Sequence, residues 1–409
     1  MRNYICLLLI GVFFSVTLSA RNETLEQNYR RSSLYSLLVS HTDQAFAKDI
    51  RKAYLQIPVP DKFNDHNLSV RVLTMTGGLE KTKSNEENAQ ISKFLSDNMI
   101  ASRLVARWFN RDMETGECNM DLVAERGLYN ASEFDKIMAE YSARGQSLLM
   151  DKGEDLIGNT YVVVNDIVYG DREKAGQAVG AGIMVLGAVA SIVVGQNLTG
   201  LSNALGNLAA TYKGFKVSIH SFLYRLVWDE ETAATFYSSQ YSAYPDAVKA
   251  AAFEAGRCAY RLQYVGKCES SGKDISFIGI NESSPQTMVL KACRRGLDDN
   301  ISALQKSFPE FRTHTPLAGV SPITAYIGLK DGVSDKSRFE VLESVEDANG
   351  KLTYKRVGII KPVHGLIWDN RFMALEEGAP NAALGFTTFT KESGGEFFPG
   401  MLIRELSER

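Results

Sequence analysis

The spacing of apolar residues changes several times along the chain, and each change marks an element. Met1-Arg2-Asn3 precedes an uncharged apolar run from Tyr4 to Leu18, which ends at Ser19-Ala20 before the polar Arg21-Asn22-Glu23. This is the layout of a secretory signal peptide over residues 1–20. A membrane anchor needs about 20 apolar residues, so cleavage near Arg21 is the expectation. Leu34, Leu37 and Leu38, then Phe46, Ile50 and Tyr54, recur at helical spacing and predict a helical lead-in over 21–67. It stops at Ile57-Pro58-Val59-Pro60.

Residues 68–313 alternate between the two periodicities. Leu68–Met75 reads as a strand followed by a Gly77-Gly78 loop, residues 88–109 as one long helix, and Met120–Val123 as a second strand. Ser132-Glu133-Phe134-Asp135 has capping-box spacing and opens a helix with Phe134, Ile137, Met138 and Tyr141 on its apolar face. Tyr161–Val168 is almost continuously β-branched or aromatic, the composition of a strand covered on both faces. Lys216–Trp228 and Ala259–Val265 read as further strands, and Ser284-Pro285 starts a helix running to Phe308.

Beyond Pro316 the pattern shortens to strands at Ile323–Leu329, Phe339–Val345, Leu352–Ile360, Gly385–Thr390 and Met401–Leu406, with a hairpin signal at Asn349-Gly350. The predicted fold class is α/β. It comprises a mixed sheet flanked by helices, a helical uncharged insertion at 171–213, and a small C-terminal all-β, barrel-like domain over 316–409.

That insertion is the anomalous part of the chain. No charge occurs between Lys174 and Lys213, and Ala175–Val194 carries only Gln177 and Ser191 as polar side chains. As a helix, about 20 such residues span about 30 Å, the thickness of a hydrocarbon core. Gly176, Gly180, Gly182 and Gly187 lie in this half, with spacing suited to close backbone approach. Leu198, Leu201, Leu205, Leu208 and Tyr212 then step by three, four, three and four, a narrow seam for packing on another helix. The four glycines and four leucines are the candidate contact to a membrane, a second copy or a partner. A buried helical hairpin is the alternative. A dinucleotide loop fails because Val185 stands where a third glycine is due, and a porin hairpin fails because odd and even positions are equally apolar.

Composition adds exclusions. The 409 residues carry 45 Lys+Arg against 48 Asp+Glu, a formal charge of -3, so no basic excess points to nucleic acid. The five histidines, His41, His66, His220, His314 and His364, form no zinc-protease motif. Asp65-His66 is expected in a solvated loop, and Ser270-Ser271-Gly272-Lys273, despite its Ser-x-x-Lys spacing, in a turn. Asp166 interrupts a buried-looking strand and needs either a partner or a place at the strand's end. Of the cysteines left after export, Cys258 and Cys268 flank a strand-like run that would hold them more than about 20 Å apart, too far for a bridge. Cys118 remains open, and Cys293 falls on a helical apolar face.

The order of predicted elements, with the phrases Asp121-Leu122-Val123-Ala124-Glu125-Arg126, Asp155-Leu156-Ile157-Gly158-Asn159-Thr160-Tyr161-Val162-Val163-Val164 and Leu226-Val227-Trp228-Asp229, resembles the periplasmic domain of the curli secretion channel family. The resemblance spans Leu68–Phe308. It implies a shared fold, with the uncharged segment where channel members carry a membrane-spanning hairpin. This chain has no lipidation cysteine after its signal run, and its insertion is Gly/Ala/Val-rich with helical periodicity. The expectation is a non-enzymatic, exported protein of the periplasm or outer membrane that assembles or scaffolds, with no cofactor or metal. A membrane-inserted oligomeric secretion factor and a hydrolase with its site at the domain junction are the alternatives.

Overall fold

The computed structural model describes residues 31–41, 46–74, 84–131, 133–142, 145–169, 212–277, 284–346 and 352–406. In chain order these form β1 (Ser33–Ser40), α1 (Ala47–Gln56), β2 (Asn64–Asp65), β3 (Val72–Thr74), α2 (Ser84–Asp97), α3 (Ile100–Trp108), α4 (Asp121–Gly127), α5 (Glu133–Tyr141), α6 (Gly145–Ile157) and β4 (Thr160–Tyr169). There follow β5 (Tyr212–Leu226), α7 (Glu230–Ser239), α8 (Ala247–Gly256), β6 (Leu262–Phe277) and α9 (Pro285–Ser307). The last strands are β7 (Thr315–Val320), β8 (Ile323–Ala325), β9 (Phe339–Glu346), β10 (Leu352–Pro362), β11 (Thr387–Gly394) and β12 (Leu402–Glu405).

The first sheet has the order β2-β1-β4-β5-β6, with β3 also paired to β1. β1 runs parallel to β2, β3 and β4, and β4–β5 and β5–β6 are antiparallel, so the sheet is mixed. Helices cover both faces. On one, Val162, Val164, Phe222 and Tyr224 meet Leu104, Val105, Trp108 and Phe236 from α3 and α7. On the other, Ile167, Val217 and Ile219 meet Ile50 and Tyr54 of α1 and Met288, Ala292 and Cys293 of α9. The C-terminal strands close as an antiparallel barrel in the order β10-β11-β8-β7-β12-β9, around Leu317, Val341, Ile360, Phe389 and Ile403.

Several elements depart from the sequence expectation for identifiable reasons. Leu34, Leu37 and Leu38 are in a strand rather than a lead-in helix: β1 is central and buried on both faces, so its apolar residues run together and mimic a helical stripe. Residues 120–123 begin a helix, not a strand, and 88–109 is two helices broken at Met99, whose φ is 53. The strand expected over Leu68–Met75 is confined to Val72–Thr74. β6 starts at Leu262 and continues through Ser270–Lys273, where a turn was expected. His66 is fully buried against Trp108, 5.1 Å between ring centroids, rather than in a solvated loop.

The α5 helix forms, but Ile137, Met138 and Tyr141 are 55%, 40% and 80% exposed, so the expected packing face is open to solvent. Ser284 caps α9 as expected, its hydroxyl accepting from Thr287 N–H at 3.1 Å. Cys118, Cys258, Cys268 and Cys293 are all free thiols. Residues 1–30, Gly77, Gly78, Ser132 and Asn349-Gly350 lie outside the described residues.

One buried carboxyl works against the fold at neutral pH. Asp298 of α9 borders a small cavity with Tyr54, Arg71 and Asn165, and its Oδ2 has no hydrogen-bond partner. Burial pushes its pKa up to about 6, while Lys330 and Arg294 pull it down. The folded state therefore holds this proton to higher pH than the unfolded chain. The group's contribution is most favourable below about pH 4 and is lost as pH rises through about 6. Asp298→Asn should raise stability by about 1–2 kcal/mol at pH 8 and by almost nothing at pH 4, as read by urea denaturation at both pH values.

Candidate functional site

The eight sequence-predicted contact residues, Gly176, Gly180, Gly182, Gly187, Leu198, Leu201, Leu205 and Leu208, lie outside the described residues, but the strands that carry their segment do not. β4 ends at Tyr169, and β5, its antiparallel neighbour, begins at Tyr212. The last β4–β5 pair is Tyr169 with Val217, so Tyr212–Lys216 continue past the end of β4 paired only to β6. The insertion thus departs from the middle of the sheet, at the edge where parallel β1 also ends.

This edge is built differently on its two faces. On the α1 side, Phe46, Tyr169 and Phe215 form an aromatic triangle with centroid separations of 4.7, 5.3 and 5.0 Å. Phe46 reaches it from a left-handed conformation, φ 61, immediately before α1. The triangle ties the end of β4, the start of β5 and the start of α1 together by offset and edge-on ring packing.

On the opposite face the register aligns Asp166, His220 and Glu269 across β4, β5 and β6. His41, just past β1, places Nε2 2.5 Å from Asp166 Oδ1, and both residues are buried. His220 Nδ1 lies 3.2 Å from Glu269 Oε1. Asp166 therefore has the partner that a buried carboxylate requires. Sequence reading singled out Asp166 but missed His41, which stands 125 positions away and shares no local pattern with it. An aspartate holding a histidine is two parts of a hydrolytic set. Ser218, two positions from His220 on β5, faces the same side by register. Among the described residues no group of three or more His, Cys, Asp or Glu is placed to hold a metal ion.

One row further in, on the α1 side, a buried polar chain fixes α1 and α9 to the sheet. Asn165 Nδ2 donates to Ser36 Oγ and Leu37 O at 3.2 Å, and Ser221 Oγ donates to Asn165 Oδ1 at 2.5 Å. Asn300 of α9 donates to Ser221 Oγ at 2.6 Å, and Tyr54 of α1 meets Ser36 Oγ at 2.5 Å. Asn300 Oδ1 has no hydrogen-bond partner, but the bonds above tie β1, β4, β5, α1 and α9 together at the root of the insertion. No helix of the described residues is long and apolar enough to cross a membrane. No family model matches the chain, and no curated protein matches it.

Proposed function

We propose that this is an exported, non-enzymatic protein of the bacterial cell envelope that assembles or scaffolds through its uncharged insertion, touching a membrane, a second copy or a protein partner. The observation that carries this reading is the root of the insertion. The segment 170–211 joins adjacent strands, β4 and β5, in the centre of a sheet that is covered on both faces and clamped by the Phe46–Tyr169–Phe215 triangle. A long apolar segment on such a platform suits presentation to another surface. The test is replacement of residues 171–211 by a short Gly/Ser linker. The account expects an unchanged melting temperature and complete loss of self-association or partner capture in sedimentation experiments. A variant that unfolds would instead favour a buried hairpin belonging to the core.

The membrane-inserted secretion-factor reading shares this root and is supported by the position of the insertion between antiparallel neighbours. It loses the phrase Asp121–Arg126, which is helical here rather than a strand. The His41–Asp166 pair favours the hydrolase alternative, placed at the sheet edge instead of the domain junction. Ester hydrolysis that disappears in His41→Ala at an unchanged melting temperature would support that alternative.

A further inference from the structure

Between the C-terminal half of α9 and the barrel wall lies a cavity of about 1040 Å3. Its lining contains Lys62, Lys306, Lys336, Arg338, Arg356 and Arg404 against only two carboxylates, Asp331 and Glu405. Two of its basic groups have structural tasks. Lys62 pairs with Asp331 at 3.2 Å, and the cavity-lining Arg312 caps α9 by donating to the Gln305 and Lys306 carbonyls at 2.9 Å.

Of the others, Arg338 and Lys306 each have a carboxylate, Arg356 and Arg404 share one, and Lys336 has none among the described residues. Glu340 serves both Arg404, at 2.7 Å from Nε, and Arg356, at 3.9 Å. Glu392 takes Arg338 at 2.8 Å, and Glu405 is shared between Lys306 at 3.3 Å and the Ser337 hydroxyl at 2.7 Å. Lys336 makes no ion pair among the described residues. A positive excess therefore remains, in a recess whose walls focus the field. Beside these cations the lining is mixed: Ile327, Val333, Phe339 and Ile403 are apolar, while Ser302, Gln305, Thr313, Thr315 and Ser337 bring hydroxyl and amide groups.

Cations with forked donors in a recess whose remaining lining is part polar and part apolar match a phosphorylated organic anion. We propose that this junction cavity binds an organic phosphate, its phosphoryl group on Arg356, Arg338 and Lys336 and its body against the remaining mixed lining. Guanidinium groups suit phosphoryl oxygens because two parallel N–H donors meet two oxygens. The ligand is either a soluble phosphate ester or the headgroup of an anionic lipid, which present the same chemistry. The site is separate from the insertion and does not rest on the function proposed above.

Calorimetric titration of the mature chain with phenyl phosphate, and co-sedimentation with phosphatidylglycerol vesicles against phosphatidylcholine vesicles, test this. Binding of either anionic probe, weakening as salt screens the cavity, is expected, and the probe that binds identifies the source. Lys336→Glu combined with Arg356→Glu should weaken binding at least about tenfold, or about 1.4 kcal/mol. Should that pair fail to fold, Lys336→Ala leaves every described ion pair intact and should still weaken binding measurably. Failure of both probes to bind would overturn the proposal, as would unchanged affinity in a folded variant.

Discussion

Replacing Gly272 by alanine should destabilise the protein by about 3 kcal/mol or more, enough to remove much of a typical domain's stability. Gly272 lies in β6 where α9 crosses it, and a Cβ there would stand 1.7 Å from the carbonyl oxygen of Ala292. The obstacle is helix backbone, so no rotamer change relieves it. On the facing turn, a Cβ on Gly296 would come within 2.7 Å of Ile219 Cδ1 and 2.8 Å of Gly272 N. Strand and helix thus touch backbone to backbone. Separating them would lift Met288, Ala292 and Cys293 away from Val217 and Ile219 and open voids in a close-packed core. Gly395→Ala, with nothing within 4 Å of the new methyl, is the control and should shift stability by no more than about 0.5 kcal/mol. Urea denaturation of both variants decides the matter. A loss below about 1 kcal/mol at Gly272 would mean that α9 is not seated on the sheet as described.

Acid should be the second large perturbation. Burial pushes the pKa of His66 down to about 3, and Arg107 and Arg126 push in the same direction, against the hydrogen bond to the Leu104 carbonyl. His314 is also held down to about 3 by burial, with Arg404 and Arg31 adding to it, and stacks on Tyr354 at 5.0 Å. Both imidazoles are neutral when folded and take up protons on unfolding below about pH 6.5. Their contribution is therefore complete above about 6.5 and is lost as pH falls toward 3. By pH 4.5 each histidine should remove about 2 kcal/mol, His314 somewhat less because it is not wholly enclosed. Asp298 has the opposite sign over part of this range and softens the loss without cancelling it. Urea midpoints from pH 7.5 to 4.5 should fall steadily, and His66→Gln should have a shallower decline than the parent. A flat profile would contradict the neutral, buried assignment.

Much of this architecture is written locally. The β-branched run of β4, the Ser284-Pro285 start of α9 and the short strands after Pro316 need no distant information, because propensity, capping chemistry and turn composition agree with the fold. β1 was illegible because burial on both faces removes the alternation that identifies a strand. Residues 120–123 misled for the opposite reason: a short apolar stretch fits either period, and the helix is settled by Gly127 approaching Leu149 of α6, contact information that local spacing lacks.

The edge beneath the insertion divides in the same way. Asp166 announced itself as a charge inside a buried strand, whereas its partner His41 emerges only when β1 is laid parallel to β4. The basic cavity has no sequence signature at all. Its cations come from the loop before β2, from α9 and the segment after it, from the loop before β9 and from β10 and β12, and are scattered through a chain that is close to neutral overall.

The most direct test of the central claim is membrane fractionation of the expressed chain beside the variant in which a Gly/Ser linker replaces residues 171–211. Both would be washed with high salt, alkaline carbonate and detergent, and the released material sized. The account predicts that the parent is retained on membranes or runs as a large assembly, while the variant is released without detergent as a folded monomer. A parent that is soluble, monomeric and without a bound protein throughout, indistinguishable from the variant, would contradict it.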